Sequence, residues 1–177
     1  LANEQVIDGK CWRCDNDVVK KDLKQWFFKI TDYADRLLDD LDTLDQWPDR
    51  VKAMQRNWIG RSEGTQFAFY VPKIDKSFEV YTTRVDTLFG VSYVVLAPEH
   101  PYVKELIHDA SNKVELEEFI ETLRNQSDIE RTSTEAEKVG MFTGSYATHP
   151  ITGKEVPIWI ANYVLADYGT GAVMGVP

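Results

Sequence analysis

At 177 residues the chain is long enough for one domain with a proper core, and a 43% hydrophobic content with 12% aromatics argues against a disordered segment. A net charge of −9 disfavours a free-standing nucleic-acid binder, whose footprint is a basic surface, while leaving room for a nucleic-acid substrate held by a local patch. No run of about 18 apolar residues occurs, so no membrane span is expected.

The first ten residues alternate into Asp8-Gly9 as though already inside a hairpin, and Leu1 is not a methionine; the pattern is that of an excised piece. Cys11-Trp12-Arg13-Cys14 has the spacing of one zinc knuckle. Tetrahedral zinc needs four ligands, and His100, His108 and His149 lie far downstream without ligand spacing, so bound zinc is not expected. A redox pair and two ordinary turn thiols remain as readings of Cys11 and Cys14, and so few cysteines favour a reducing, cytoplasm-like compartment.

Residues 20–58 read as largely helical. Trp26, Phe27, Ile30, Tyr33, Ala34, Leu37, Leu38 and Leu41 recur at helical spacing, Thr31 suits an N-cap, and Pro48 suits the first turn of a further helix carrying Val51, Met54, Gln55 and Trp58. The Trp and Phe stripe is expected to pack a core rather than hold a cofactor. Asn57 to Gly64 is a boundary, with a domain change placed between residues 58 and 59. Beyond it Phe67, Phe69 and Val71 alternate with polar or smaller neighbours, turn through residues 73–77, and return along Phe78 and Val80.

The stretch Tyr81-Thr82-Thr83-Arg84-Val85-Asp86-Thr87-Leu88-Phe89-Gly90 sets three threonine hydroxyls, a guanidinium and a carboxylate between two strands. Two readings fit: a pocket-lining segment in which Asp86 accepts from backbone N–H groups and Arg84, or a strand end closing in a turn with solvated threonines. After the nearly all-apolar 91–96 strand, residues 102–126 read as helix interrupted near Ser111-Asn112, with the acidic run from Glu115 to Glu121 as a solvated face. Residues 127–137 read as loop or frayed helix, 138–144 and 156–160 as extended structure, and 149–153 as a turn. In the last segment, Gly169 and Gly171 let backbone N–H groups approach a ligand and Thr170 supplies a hydroxyl between them; the spacing is not that of a dinucleotide loop.

Cys11-Trp12-Arg13-Cys14-Asp15, Gln25-Trp26-Phe27, Ile30-Thr31, Tyr33-Ala34-Asp35, the Met54-to-Gly64 string, the threonine-rich peptide, Lys138-Val139-Gly140 and the Tyr168-to-Pro177 segment resemble, in the same order, the bacterial-type leucyl-tRNA synthetases. The resemblance covers essentially the whole chain. It implies a mixed α/β fold: residues 1–58 as a zinc-ribbon remnant and helical connection to a catalytic core, and residues 59–177 as a β-barrel-like editing domain with packed helices, truncated at its C-terminal end.

The same resemblance implies post-transfer editing, the hydrolysis of tRNA(Leu) mischarged with norvaline or isoleucine. Thr82 and Thr83 would bond substrate or the attacking water, and Thr87 would block leucine sterically. Arg84 and Asp86 would belong to the substrate-binding loop chiefly as its frame, Tyr168, Gly169, Thr170 and Met174 would line the adenosine and amino-acid pocket, and Val176 its floor. No motif puts a histidine at this site. Editing would need no cofactor, whereas ATP and magnesium would serve the parent ligase outside this segment, which carries neither ATP signature. The 3′ end of tRNA(Leu) and the rest of a cytoplasmic or organellar synthetase are the implied partners.

The family usually has proline where this chain has Val85, which predicts a looser loop, and places beyond Pro177 an acidic residue that holds the substrate ammonium, which predicts weak activity for the piece alone. A non-catalytic module that binds tRNA or protein, and the editing domain of a valyl or isoleucyl relative, are the alternatives.

Overall fold

The computed structural model describes residues 1–19, 24–126, 131, 133, 136–166 and 169–177. Its internal contacts divide it into two units, Leu1–Glu63 and Gly64–Pro177.

In the first unit β1 (Val6–Ile7) and β2 (Lys10–Cys11) pair antiparallel across Asp8 (φ 51°) and Gly9 (φ 76°), the double positive-φ turn that Asp-Gly favours. Two helices follow, α1 (Ala34–Asp40) and α2 (Asp49–Ile59), with 3-10 turns at Ile30–Tyr33 and Leu41–Thr43. Three expectations are corrected here. Residues 24–29 are irregular, so helical spacing is not realised there, and Trp26 (101% exposed) and Phe27 (76%) pack no core. Thr31 lies inside a 3-10 turn whose N-cap is Lys29. Pro48 stands at the N-cap of α2, one residue before the helix. The start of the expected helix, residues 20–23, lies outside the described residues.

The second unit is a mixed α/β layer. Its sheet has six strands in the order β4-β3-β6-β7-β5-β8. β3 (Thr65–Val71) and β4 (Lys76–Thr82) form the expected hairpin, and Phe69, Val71, Phe78 and Val80 are buried while their neighbours face out. β5 (Tyr93–Leu96) takes β7 (Glu155–Ala161) as a parallel neighbour and β8 (Ala172–Gly175) as an antiparallel one. β6 (Gly140–Thr148) joins the two halves and slips register between Phe142 and Tyr146, where Gly144 (φ 73°) supplies the bulge and buried Thr143 donates its hydroxyl to Ile158 O. The ladders leave the sheet open, since β4 and β8 lie beside each other without pairing.

The core sits between this sheet and two helices, α3 (Val103–Leu106) and α4 (Lys113–Asn125), broken where Ser111-Asn112 predicts. Leu106, Ile107, Leu116 and Ile120 pack with Phe69, Leu96, Ile158 and Ile160, and Glu115, Glu117, Glu118 and Glu121 face solvent. Of residues 127–137 only 131, 133, 136 and 137 are described. Arg131 is buried and clasps the segment after β7, donating to Asn162 O (2.9 Å) and Val164 O (2.7 Å) while pairing with Glu99 (2.7 Å).

Leu96 is wholly buried in a strand bonded on both edges, so Leu96→Ala is expected to cost about 2–5 kcal/mol, read as a lower urea midpoint at unchanged slope.

Candidate functional site

β4 ends at Thr82, and the chain then enters a 3-10 turn, Val85–Gly90, before β5. The polar groups of this passage largely bond one another. Thr82 Oγ1 accepts from Arg84 N–H (3.0 Å), which leaves the Thr82 hydroxyl hydrogen free to donate elsewhere. Thr87 does the reverse: its hydroxyl donates to Arg84 O (2.7 Å) and its N–H to the same carbonyl (3.1 Å), so what Thr87 has left is acceptor capacity and the bulk of its methyl group. Thr83 is exposed.

Arg84 and Asp86 form a two-point fork, Nε to Oδ1 at 3.0 Å and Nη2 to Oδ2 at 2.7 Å. The hydrogen bonds from Arg84 hold the Asp86 carboxyl below the usual carboxylate range, and Asp86 raises the guanidinium in return. Both side chains are well exposed, so water competes for the fork. Val85 is the first residue of the 3-10 turn.

The glycine-rich segment reaches this turn through β8. Ser92 N–H donates to Gly175 O (3.0 Å), Met174 pairs with Val94, and a Cβ at Gly90 would lie 3.0 Å from Val176 Cγ1. A Cβ at Gly175 would fall 2.3 Å from the Tyr93 ring, so with glycine there the ring crosses the strand in place, and any larger residue would have to displace it. Val176 and Met174 are therefore joined to the end of the threonine turn. Gly171 is buried with φ 67° and accepts from Ala97 N–H (2.9 Å), exposed Gly169 has φ 65°, and Thr170 donates to Ala172 O (3.1 Å). Tyr168 lies outside the described residues.

Thr170 also lines a cavity of about 400 Å³ with Ser77, Phe78, Glu79, His100 and Tyr102. Another depression of about 470 Å³, lined by Lys73, Ile74, Lys104, Glu105, His108 and Asp109, holds none of the predicted residues, and Lys73 there is engaged by Leu106 O, Ser145 Oγ and Asp109. Among the described residues no group of three or more His, Cys, Asp or Glu is arranged to hold a metal, and Cys11 and Cys14 are free thiols.

A family model described as the leucyl-tRNA synthetase editing domain matches residues 56–177. The chain belongs to the leucyl-tRNA synthetase family. Leucine–tRNA ligases of Clostridium perfringens, Clostridium botulinum and Shewanella woodyi are 63%, 62% and 58% identical over all 177 residues. The chain spans about a fifth of their length, 21%, 22% and 20% respectively. In three dimensions it is similar to the LeuRS of Agrobacterium radiobacter K84 agnB2 in a ternary complex with tRNA and LeuAMS, at 45% identity and a TM-score of 0.74, covering all of this chain and 22% of that one.

Two histidines that no synthetase motif marks in the sequence sit against this part of the fold. His100 is buried with its Nδ1 accepting from Tyr102 N–H (3.2 Å), and its ring stands edge-on to Phe78 and Tyr102. His149 is buried with Nε2 at 2.9 Å from Leu88 O inside the threonine turn. That bond spans 61 residues, so no local pattern announces it.

Burial lowers the His100 pKa from its ordinary 6.5, so the unfolded chain takes up the proton first as pH falls. Stability is fully present above about pH 6.5 and declines below it; melting temperatures from about pH 8 to 5 should fall less steeply for His100→Gln than for the native chain.

Proposed function

We propose that this chain is a post-transfer editing module, which hydrolyses the ester of tRNA(Leu) carrying a noncognate amino acid such as norvaline or isoleucine. The observation that carries this reading is the junction of the end of the threonine turn with Gly175-Val176, where Ser92 N–H meets Gly175 O and Gly90 backs onto Val176, in a chain whose residues 56–177 match the editing-domain family. The approach of β4 to β8 agrees with barrel-like closure around it.

The chemical need comes from the synthetic reaction. One methylene more or less changes binding by only about 1–3 kcal/mol, so a leucine site admits near-isosteres and a second site must clear them. Hydrolysis begins with a water oxygen bonding to the ester carbonyl carbon as the carbonyl π pair moves onto its oxygen. Collapse of that intermediate breaks the bond to the ribose oxygen, which leaves with one proton of the water; the other passes to solvent, and the amino acid departs as a carboxylate. No covalent enzyme intermediate is required. Positioned hydroxyl and backbone donors stabilise the oxyanion and hold the water.

The roles divide according to which hydrogens are spent. Thr82 has a hydroxyl hydrogen to offer and is the donor to substrate or water, with exposed Thr83 beside it. Thr87 has spent its hydrogen on Arg84 O and acts as a wall against the cognate side chain, sparing leucine. Met174 and Val176 supply apolar lining, and Gly169 and Thr170 the backbone approach to the terminal adenosine. The parent protein would ligate leucine to tRNA(Leu) with ATP and magnesium in segments other than this one, in the cytoplasm or an organelle.

In a full-length leucyl-tRNA synthetase carrying this segment, norvalyl- or isoleucyl-tRNA(Leu) should be deacylated while leucyl-tRNA(Leu) is spared. Removing a methyl-sized wall by Thr87→Ala should raise cleavage of the leucyl ester by about 10-fold to 200-fold. Tight tRNA binding with no ester cleavage would instead identify a non-catalytic module.

A further inference from the structure

His149 makes contacts that divide cleanly between its two ring nitrogens. Nδ1 accepts from the N–H groups of Ile151 and Thr152, both at 3.2 Å, which closes the turn between β6 and β7. A nitrogen that accepts carries no hydrogen, so in the neutral ring the hydrogen is on Nε2, and Nε2 donates to Leu88 O at 2.9 Å. The ring is 3% exposed and stands edge-on to Phe69, itself fully buried, with centroids 6.1 Å apart at 81°. Core and turn together fix the plane of the imidazole before it touches the threonine peptide.

The carbonyl it holds occupies a telling position. Leu88 follows Thr87, and its oxygen also accepts from Val91 N–H at 3.2 Å, so two donors converge on one acceptor at the centre of the 3-10 turn. On its other side Thr87 is tied by N–H and hydroxyl to Arg84 O. Thr87 is thus suspended between two points. One belongs to an exposed peptide framed by the Arg84–Asp86 fork, and the other hangs from a buried ring in a different hairpin.

Resting on the editing reading above, we propose that His149 is a positioning residue for substrate discrimination: its Nε2–H donation to Leu88 O sets where Thr87 stands. It touches no substrate and moves no proton. An error on the order of 1 Å at a positioned group costs about 100-fold in rate, so a turn released from its anchor places the Thr87 wall wrongly.

The test separates the two nitrogens. His149→Asn keeps an acceptor at the distance of Nδ1 and deletes the donor, whereas His149→Gln sets an amide N–H at the distance of Nε2. In a full-length synthetase carrying this segment, the ratio of norvalyl-tRNA(Leu) to leucyl-tRNA(Leu) cleavage should drop by about 10-fold to 100-fold for His149→Asn and stay near the native ratio for His149→Gln. In the native 177-residue chain, two-bond ¹H–¹⁵N correlations of the ring should show the Nε2–H tautomer. An Nδ1–H ring overturns the proposal, as do Asn and Gln variants whose ratios change alike or not at all. Should the Asn variant fail to fold, a collapsed ratio in the Gln variant or an Nδ1–H ring would overturn it. A native synthetase that spares every noncognate ester defeats the editing reading itself, a result distinct from any of these.

Discussion

The strand Tyr93–Leu96 is the constraint on which the rest depends. Val94, Val95 and Leu96 are buried almost completely, and backbone hydrogen bonding uses both edges, parallel to β7 and antiparallel to β8. A strand so enclosed has no freedom to slide, because a one-residue slip would turn every side chain onto the wrong face. The two peptides of the proposed site are extensions of this pairing: the threonine turn enters β5, and Met174-Gly175-Val176 runs along and past its partner. The proposed site thus stands on apolar, buried foundations, with its polar groups at the ends of strands.

Within the turn, magnitude decides which contact matters. The Arg84–Asp86 fork has good geometry but is exposed on both sides, so water competes for it and it contributes little to holding the chain. The His149–Leu88 bond is out of water, and a buried donor or acceptor left unpaired costs about 1–3 kcal/mol. The visible charged motif is thus the weaker tether, and the silent histidine the stronger one. Arg131 acts likewise for the chain after β7, where its guanidinium collects the carbonyls of Asn162 and Val164.

Elements whose side chains alternate or recur on one face were legible in the sequence. Phe69, Val71, Phe78 and Val80 announce the hairpin, Asp8-Gly9 its smaller counterpart, and the Ser111-Asn112 break divides α3 from α4. The threonine peptide stood out by its density of hydroxyls. Its neighbour across β5 was identified only by resemblance, because pairing between residues about 80 positions apart leaves no local trace. Trp26 and Phe27 misled because apolar spacing reports a helix only where the backbone adopts one. His149 was invisible as a site residue for a related reason: its usefulness lies in which nitrogen faces Leu88, a property of the fold.

The most direct measurement of the central claim is a chemical-shift map of the ¹⁵N-labelled chain titrated with a non-hydrolysable norvalyl analogue of the terminal adenosine. Amide shifts should concentrate at Thr82, Thr83, Thr87, Thr170, Met174 and Gly175, the two peptides seated on β5. Shifts gathered instead around Lys73, Lys104, His108 and Asp109, with the threonine turn unmoved, would contradict it.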